Sequence, residues 1–478
     1  MFVCVSRLVL SLDQGLKGCV LIGRPASRAA VVGFSLLPGY QPPDSLAGLR
    51  QKMDNVYWSL RVKTGPASSP PRDTWKKERR GAMNLLHAND RRGEYPASWY
   101  AATARSLAPF PMLKGAAQAD VVVVGGGYTG LSAALHLAER GFDVALLEAH
   151  RVGFGASGRN GGQLGSGQRL DQMALEQMLG EQTARRLWHL GEEAKGLVRG
   201  LIDAHGIDCA LKPGVAWAGF KPAETDWMAR YGAHMQAQYG YSAIEPLDRA
   251  AMQALCPSPA YHGGLLDHGA AHLHPLNFAL GLARAAAAAG VRIYERSEVH
   301  HINHGARVRV ATDAGHLEAD HLILAGNGYL GGLERAVAAR VMPINNFIVA
   351  TEPLGERAAE VLRADVALCD TKFVVNYFRL SEDNRLLFGG GESYGYRFPK
   401  DIRAVVSKPM LEIFPSLKDV RLDYAWGGTL AITTRRLPHF ARIAPNVLSA
   451  GGYSGHGVGT AVHAGLLLAE AVRGQAAR

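Results

Sequence analysis

The stretch DVVVVGGGYTGLSAALHLAERGFDVALLEA, residues 120–149, decides the fold. Its four consecutive valines, 121–124, lack any polar interruption, the pattern of a strand buried on both faces in a parallel sheet. Gly125, Gly127 and Gly130 follow at once as GxGxxG. Leu131, Ala134, Leu135 and Ala138 then recur at helical spacing, Gly141 stands where such a helix would be capped, and residues 142–147 form the next strand. That strand ends at Glu148. Strand, glycine turn, helix and acid-terminated strand together define a dinucleotide-binding unit, which isolated glycines would not. Gly125 permits the tight turn, Gly127 leaves the backbone bare for a pyrophosphate, and Gly130 lets helix and strand approach. The helix N-terminus presents free N–H groups and about half a positive charge. Glu148 is suited to accept hydrogen bonds from ribose hydroxyls and would repel a 2′-phosphate.

The residues that follow separate a flavin from a nicotinamide. RVGFGASGRNGGQ, residues 151–163, holds five glycines in thirteen positions. A nicotinamide site needs no second loop of this kind. A flavin does, because its ring lies far from the adenine and backbone must approach along its length. Ser157 and Arg159 suit the pyrophosphate, and Asn160, Gly161, Gly162 and Gln163 the ribityl chain and ring. A third segment, GGYSGHGVG at 451–459, runs into an apolar helix expected over about 460–472. Amides of Gly455, Gly457 and Val458, with the helix dipole behind them, are placed to stabilise negative charge near flavin N1 and the C2 carbonyl. Apart from GFGASG at 153–158, which lies inside this second loop, no further GxGxxG is present for a nicotinamide partner.

Together these segments resemble the flavin-dependent D-amino-acid oxidase superfamily, and within it the γ-glutamylputrescine oxidase-like branch. The likeness runs from Tyr100 to about Arg473. Its specific parts are the Tyr128-Thr129 pair, the RNGGQ run at 159–163, LLDHGAAHLHPLNFA at 265–279, NRLLFGGG at 384–391 and GGYSGHGV at 451–458. The resemblance implies an α/β fold in which a Rossmann-like FAD-binding domain (98–194, 271–330 and 426–478) is interleaved with an α+β substrate domain (195–270 and 331–425) on a mostly antiparallel sheet. It implies Tyr128 and Thr129 at the cofactor and Val299 against the adenine ring, while Gly326 closes a strand returning to the cofactor. Covalent-flavin relatives carry a Cys upstream of the last glycine loop. Residues 433–440 contain none, so non-covalent FAD is expected. Relatives in this branch also extend some tens of residues past the last helix, whereas this chain stops at Arg478.

The implied reaction is oxidation of an amine C–N bond, with γ-glutamylputrescine or a related polyamine derivative as substrate. Hydride passes to flavin N5, water converts the imine to an aldehyde, and O₂ or another electron acceptor reoxidises the flavin, O₂ yielding H₂O₂. An amino-acid or secondary-amine dehydrogenase feeding a quinone or protein acceptor is the alternative, and a non-catalytic flavin-binding protein the third reading. His456, inside the last loop, is the candidate catalytic residue. His274, Tyr377, Tyr394 and Tyr453 are candidates for the substrate pocket, although His274 equally suits a helix cap before Pro275 and the tyrosines suit packing. Arg435 and Arg436 would suit a substrate carboxylate, with surface arginines the plainer reading.

Composition sets the outer bounds. A chain of 478 residues with 47% hydrophobic and 20% charged residues is of the globular kind, which excludes a collagen-like or wholly disordered chain. The net charge of +10 would suggest nucleic acid, but residues 1–82 hold 13 Lys and Arg against 5 Asp and Glu, leaving 39 against 37 in the rest. The basic character thus belongs to an extension, expected to be disordered or translated from upstream of a true start at Met83. Asp13, Lys17, Arg24 and Arg28 interrupt its apolar runs before either a membrane span or a signal core of ordinary length is reached. Five cysteines with no CxxC pair point to a reducing cytoplasm. The HxH at His272 and His274 lacks partners at ligand spacing, so no metal is expected and loop or surface histidines are the simpler reading.

Overall fold

The computed structural model describes residues 84–474, so the basic extension expected over 1–82 lies outside the described residues. The valine run behaves as its composition dictates. Val121, Val122 and Val123 are wholly buried in strand β1, Gly115–Val124. This strand pairs in parallel with β2, Val144–Leu147, on one side and β10, Gly315–Leu324, on the other. Val124 stands level with both Leu147 and Leu324, so three strand ends open at one edge. Outward from them lie β7, Arg292–Tyr294, and β17, Val447–Gly451, also parallel, with β16, His439–Ala444, closing the far side antiparallel. An antiparallel pair, β8 (His301–Asn303) and β9 (Val308–Ala311), attaches to β10 and completes the sheet.

A second sheet runs β15-β11-β14-β13-β12-β4-β6-β3, where β15 is Leu422–Ile432, β11 Met342–Thr351, β14 Leu386–Ser393, β13 Tyr377–Leu380, β12 Ala367–Asp370, β4 Lys212–Gly219, β6 Gly263–His272 and β3 Gln163–Leu164. A further strand, β5 (Ile244–Leu247), pairs with β6. Its pairings are antiparallel except β12 with β4. In chain order, blocks of strands alternate between the two sheets, and the described residues belong to one compact unit. The seam expected between residues 425 and 426 falls inside β15, because that whole strand pairs with β11. The alternation over 373–380 yields a shorter strand than its pattern suggests. The Asp370 carboxylate accepts the backbone N–H groups of Lys372 (3.1 Å) and Asn376 (3.0 Å), which folds the intervening residues into a turn and leaves Phe373 85% exposed.

Four helices position the site: α1, Tyr128–Ala138; α2, Glu181–Ala204; α3, Pro275–Ala288; and α4, Gly457–Val472. α1 is buried along nearly its whole length and shares a core with α3 and α4. α4 crosses α1 without side-chain spacers. A Cβ on Gly465 would lie 2.5 Å from the Thr129 carbonyl oxygen, and Ser132 Oγ donates to the Val462 carbonyl at 2.7 Å.

Two glycine substitutions test this crossing. In an open helical position, alanine for glycine gains about 1 kcal/mol of helix propensity. Gly196 of α2 faces open space, so Gly196→Ala should raise the denaturant midpoint. Gly465→Ala should lower it by about 1–3 kcal/mol, the usual cost of forcing atoms into a packed contact. Equal gains from both variants would show that the helices do not meet at this glycine.

Candidate active site

The first glycine turn is fixed by what would collide with it. Gly125 has φ +113° and a Cβ there would lie 2.7 Å from the Ala325 carbonyl oxygen, so the turn packs against the end of β10. A Cβ on Gly130 would lie 1.9 Å from the Gly125 oxygen. The first intrahelical bond of α1 runs from Leu131 N–H to Gly127 O at 2.9 Å, leaving the amides of residues 128–130 without intrahelical partners. One is already taken: Tyr128 N–H donates to Ser157 Oγ at 3.0 Å. Gly127 has no side chain to cover the turn, and a Cβ there would press on that same hydroxyl at 2.9 Å.

Glu148 ends β2 beside this turn. Its carboxylate accepts from Gly126 N–H at 2.7 Å and His150 N–H at 2.9 Å, which leaves acceptor capacity for further donors. Desolvation outweighs those bonds and raises its pKa to about 7. Val299 and Gly326 lie near the same edge: Val299 packs in the cluster that includes Val124 and Leu147, and Gly326 stands two residues past the end of β10.

The second loop is braced from three sides. Gly153 N–H donates to Gly126 O at 2.8 Å. Asn160 Nδ2 donates to Ala156 O (2.9 Å) and Ser157 O (3.1 Å), while its Oδ1 accepts from Gly162 N–H at 2.7 Å. Gly162, with φ +78°, passes so near Leu273 that a Cβ would lie 2.0 Å from its carbonyl oxygen, and the Tyr377 ring occupies the space a Gly161 side chain would need. Gln163 enters β3 and its Nε2 donates to Leu368 O at 3.0 Å. Arg159 is placed differently from the phosphate-facing cation expected of it. Its guanidinium bonds Phe154 O (2.7 Å), Gly427 O (3.0 Å) and the Asp90 carboxylate (2.9 Å), and it lies over the Phe154 ring. Its fixed role here is that of a strut, with Nη2 buried and without a partner among the described residues.

Asp90 belongs to a strap preceding the first sheet. His87 meets Glu298 at 2.8 Å, Asn89 bonds the backbone of Tyr396 and Phe398, and Tyr95 OH donates to Val152 O at 2.7 Å. The strap thus ties the second glycine loop to residues 396–398 near the other sheet. Sequence reasoning gave these residues no role, since nothing in their local pattern marks contacts 57 to 309 residues away.

The third loop meets the other two. Tyr453 and Thr129 share a hydroxyl–hydroxyl hydrogen bond of 2.6 Å, so the expected substrate residue Tyr453 is buried and links the first turn to the last. His456 is the N-terminal flanking residue of α4, and Gly165 is bare where its ring passes. Desolvation, with Arg169 and Lys195 adding to it, lowers the imidazole to about 4. Gly455 is exposed, His456 and Tyr377 keep accessible surface, and yet burial dominates the pKa of both rings. Cys369 shows the same combination, its thiol pushed up to about 12. Tyr377 packs on Gly161, His456 on Gly165, and Cys369 stands opposite Tyr377 where β12 pairs with β13, so these part-exposed groups border one recess between the loops.

The remaining expected residues fall elsewhere. His274 caps α3: Nδ1 accepts Asn277 N–H at 3.1 Å, and Nε2 lies 3.1 Å from Thr103 Oγ1, whose own proton goes to Trp99 O. This sets the neutral Nε2–H form, in keeping with a pKa lowered to about 3 by burial. His272 and His274 are both buried, not surface residues, because β6 and the start of α3 run through the interior. Tyr394 is 63% exposed and bonded to Glu392.

The chain's comparison with known proteins agrees with this geometry. Residues 120–471 match the family model for FAD-dependent oxidoreductases of the D-amino-acid oxidase (DAO) type, and the chain belongs to that family. It is an FAD-dependent oxidoreductase. It is 43% identical over 380 residues to the probable oxidoreductase OrdL of Rhizobium meliloti, covering 79% of this chain and 88% of that protein. It is 42% identical over 387 residues to the gamma-glutamylputrescine oxidoreductase of Escherichia coli, covering 80% and 91%. The fold is similar to that of glycine oxidase from Geobacillus kaustophilus, with TM-score 0.63 and 22% identity over 75% of this chain and 95% of that one. The bare turn at Gly127, the free amides of α1 and the buried Glu148 carboxylate fit such a cofactor.

Glu148 gives a signed test. A ribose hydroxyl is bound best by the ionised carboxylate, and in the free protein that form predominates only above about pH 7. FAD affinity should therefore rise with pH, by about tenfold between pH 6 and pH 8. Glu148→Gln should bind more weakly and without that slope. Fluorescence titration of the apoprotein measures both, and an unchanged slope in the variant would remove Glu148 from ribose recognition.

Proposed function

We propose that this protein oxidises the terminal amine of γ-glutamylputrescine or a closely related polyamine derivative. The observation that supports the reading most is the convergence of three glycine loops on one recess, with an acid at one end and neutral, desolvated rings at the other. The likeness to the Escherichia coli enzyme adds the substrate class. In this reading the first turn and α1 hold the pyrophosphate, Glu148 the ribose, and residues 160–163 the ring. The amides of Gly455, Gly457 and Val458 face the pyrimidine edge. When bound, FAD supplies a hydride acceptor for the carbon bearing the substrate nitrogen.

The chain's own residues prepare the amine. An alkylammonium has a pKa near 10.4, so presenting the neutral form at pH 7 costs about 4–5 kcal/mol. A recess walled by Tyr377, Cys369 and a neutral His456 offsets part of that by disfavouring the cation. His456 stays uncharged above about pH 5 and cannot repel an incoming ammonium; it orients the amine or the ring through one ring nitrogen. The imine is hydrolysed by water to the aldehyde, and O₂ is the acceptor that completes the cycle. Among the described residues no helix is long and apolar enough to cross a membrane, and Cys209, Cys256 and Cys369 are free thiols, which suits work in the reducing cytoplasm.

Anaerobic mixing with γ-glutamylputrescine should bleach the flavin absorbance, and admitting O₂ should restore it with one equivalent of H₂O₂. Restoration only by a quinone or protein acceptor would favour a dehydrogenase, and no bleaching with any amine would end the enzymatic reading. In the same assay His456→Gln should alter the rate without changing the shape of the pH profile between pH 6 and pH 9. Loss of an inflection near pH 6.5 would mean that the imidazole titrates in the cycle after all.

A further inference from the structure

Two arginines at the recess have no carboxylate of their own. Arg169 lies just past the second glycine loop, with its Nε 4.0 Å from where a Gly455 Cβ would stand. Its side chain is exposed, though burial lowers its pKa, and the charged or polarisable groups acting on it are Cys369 and Arg436. Arg436 approaches from the turn after β15. Neither guanidinium has a hydrogen-bonding or ion-pair partner among the described residues, although most other arginines near this site, Arg159 and Arg379 among them, are bonded. Two like charges held near one another without counter-charge favour an anion that bridges them.

The backbone is shaped to hold them there. Arg436 has φ +60°, a left-handed conformation unfavourable for a side chain of this size. Its N–H closes a turn on Thr433 O at 3.2 Å, and Thr433 N–H donates to Ser454 Oγ at 3.2 Å. Ser454 is itself at φ +55° and donates its N–H to Ala431 O at 3.0 Å. The strained turn that carries Arg436 is thus hydrogen-bonded to the residue preceding Gly455. Arg169 and the neighbouring Gly455 are exposed and Arg436 keeps accessible surface, so the pair stands towards the mouth, away from the Tyr377 ring packed on Gly161. Glu392 already accepts from Tyr394 OH.

We propose that Arg169 and Arg436 form a carboxylate subsite at the mouth of the recess, so the preferred substrates are amines that carry a carboxylate at the end remote from the reacting carbon. This deepens the amine-oxidising reading and rests on it for the position of the reacting end. A planar guanidinium pair takes a carboxylate through several charge-assisted hydrogen bonds, which a hydroxyl or amide terminus would leave incomplete.

Calorimetric titration of the FAD-loaded protein tests the subsite without turnover. Glutaric acid monobutylamide carries the carboxylate and no amine; N-butylbutanamide has neither. The first should bind about 10–100-fold more tightly, and Arg169→Met or Arg436→Met should remove that preference while leaving the weaker ligand's affinity unchanged. Arg169→Lys should recover part of it. Flavin absorbance confirms that each variant is folded and loaded. With γ-glutamylputrescine as substrate, both Met variants should raise KM by a similar factor with kcat little changed, whereas the rate with putrescine should be insensitive to them. Equal losses for both ligands, or release of FAD from Arg169→Met, would overturn the subsite and assign Arg169 to the cofactor. Preference for the acid in a protein whose flavin no amine bleaches would keep the subsite and refute only the amine reaction.

Discussion

The site depends on how closely the first and last of its helices cross. Gly465 lets α4 rest on the backbone of α1 at Thr129, Ser132 bonds Val462 across the contact, and Tyr453 bonds Thr129 at the loop end. Because the two elements are more than 300 residues apart in the chain, nothing local enforces the arrangement. What enforces it is that a Cβ at Gly465 would meet backbone, leaving the helices no softer way to adjust. With that distance fixed, two helix N-termini and their glycine turns face one recess, each bringing unpaired amides and a partial positive charge. The second glycine loop then fills the gap, held to the first turn by Ser157 and Gly153.

Much of this was legible in residues 120–163 and 451–459, because those stretches state their structure locally. A valine run, glycines at fixed offsets and an acid at a strand end each constrain only their neighbours. The interleaving of two sheets is implied by the family resemblance that those motifs carry. What local pattern could not show is which polar residues find each other. Arg159 reads as a phosphate ligand beside its glycines, yet Asp90 and two carbonyls engage it. His274 was open between cap and pocket, and only the position of Thr103 and Asn277 decides for the cap. The alternation over 373–380 becomes a strand only from Tyr377 on, because one buried carboxylate, Asp370, gathers three donors and turns the chain before it. Arg169 carried no signal at all beyond its place after a glycine-rich run.

The charge distribution follows the same division. The chain's +10 is concentrated outside the described residues, and the body is close to neutral. Within that neutral body the ionisable groups at the site are segregated. Glu148 and Glu295 lie at one end, the latter paired with Arg151 at 2.7 Å. Lys195 lies towards the other, by a histidine kept neutral by burial with Arg169 and Lys195 adding to it, while Arg169 and Arg436 stand at the mouth. An electron acceptor that gains negative charge on reduction is best served by cations and amide dipoles at its reacting end, and a ribose by an acceptor at its remote end.

Lys195 shows how that polarity is held in place. It sits on α2, is nearly buried, and donates to Ser166 Oγ at 2.6 Å and to Tyr241 OH at 3.2 Å, with Glu192 at 2.9 Å. Asp267 accepts from both Ser166 and Tyr241 at 2.6 Å and from the amides of Gly269 and Ala270. A cluster of this kind contributes little net stability, since each charge must be desolvated to join it. Its effect is geometric. Ser166 lies between Gly165, which faces the His456 ring, and Gly167, whose own neighbour is the Trp188 ring. Anchoring that one hydroxyl from two charged sides fixes the short segment from which both the histidine's wall and Arg169 project. The network therefore acts on the recess without touching it: it sets where the neutral wall ends and where the cationic mouth begins.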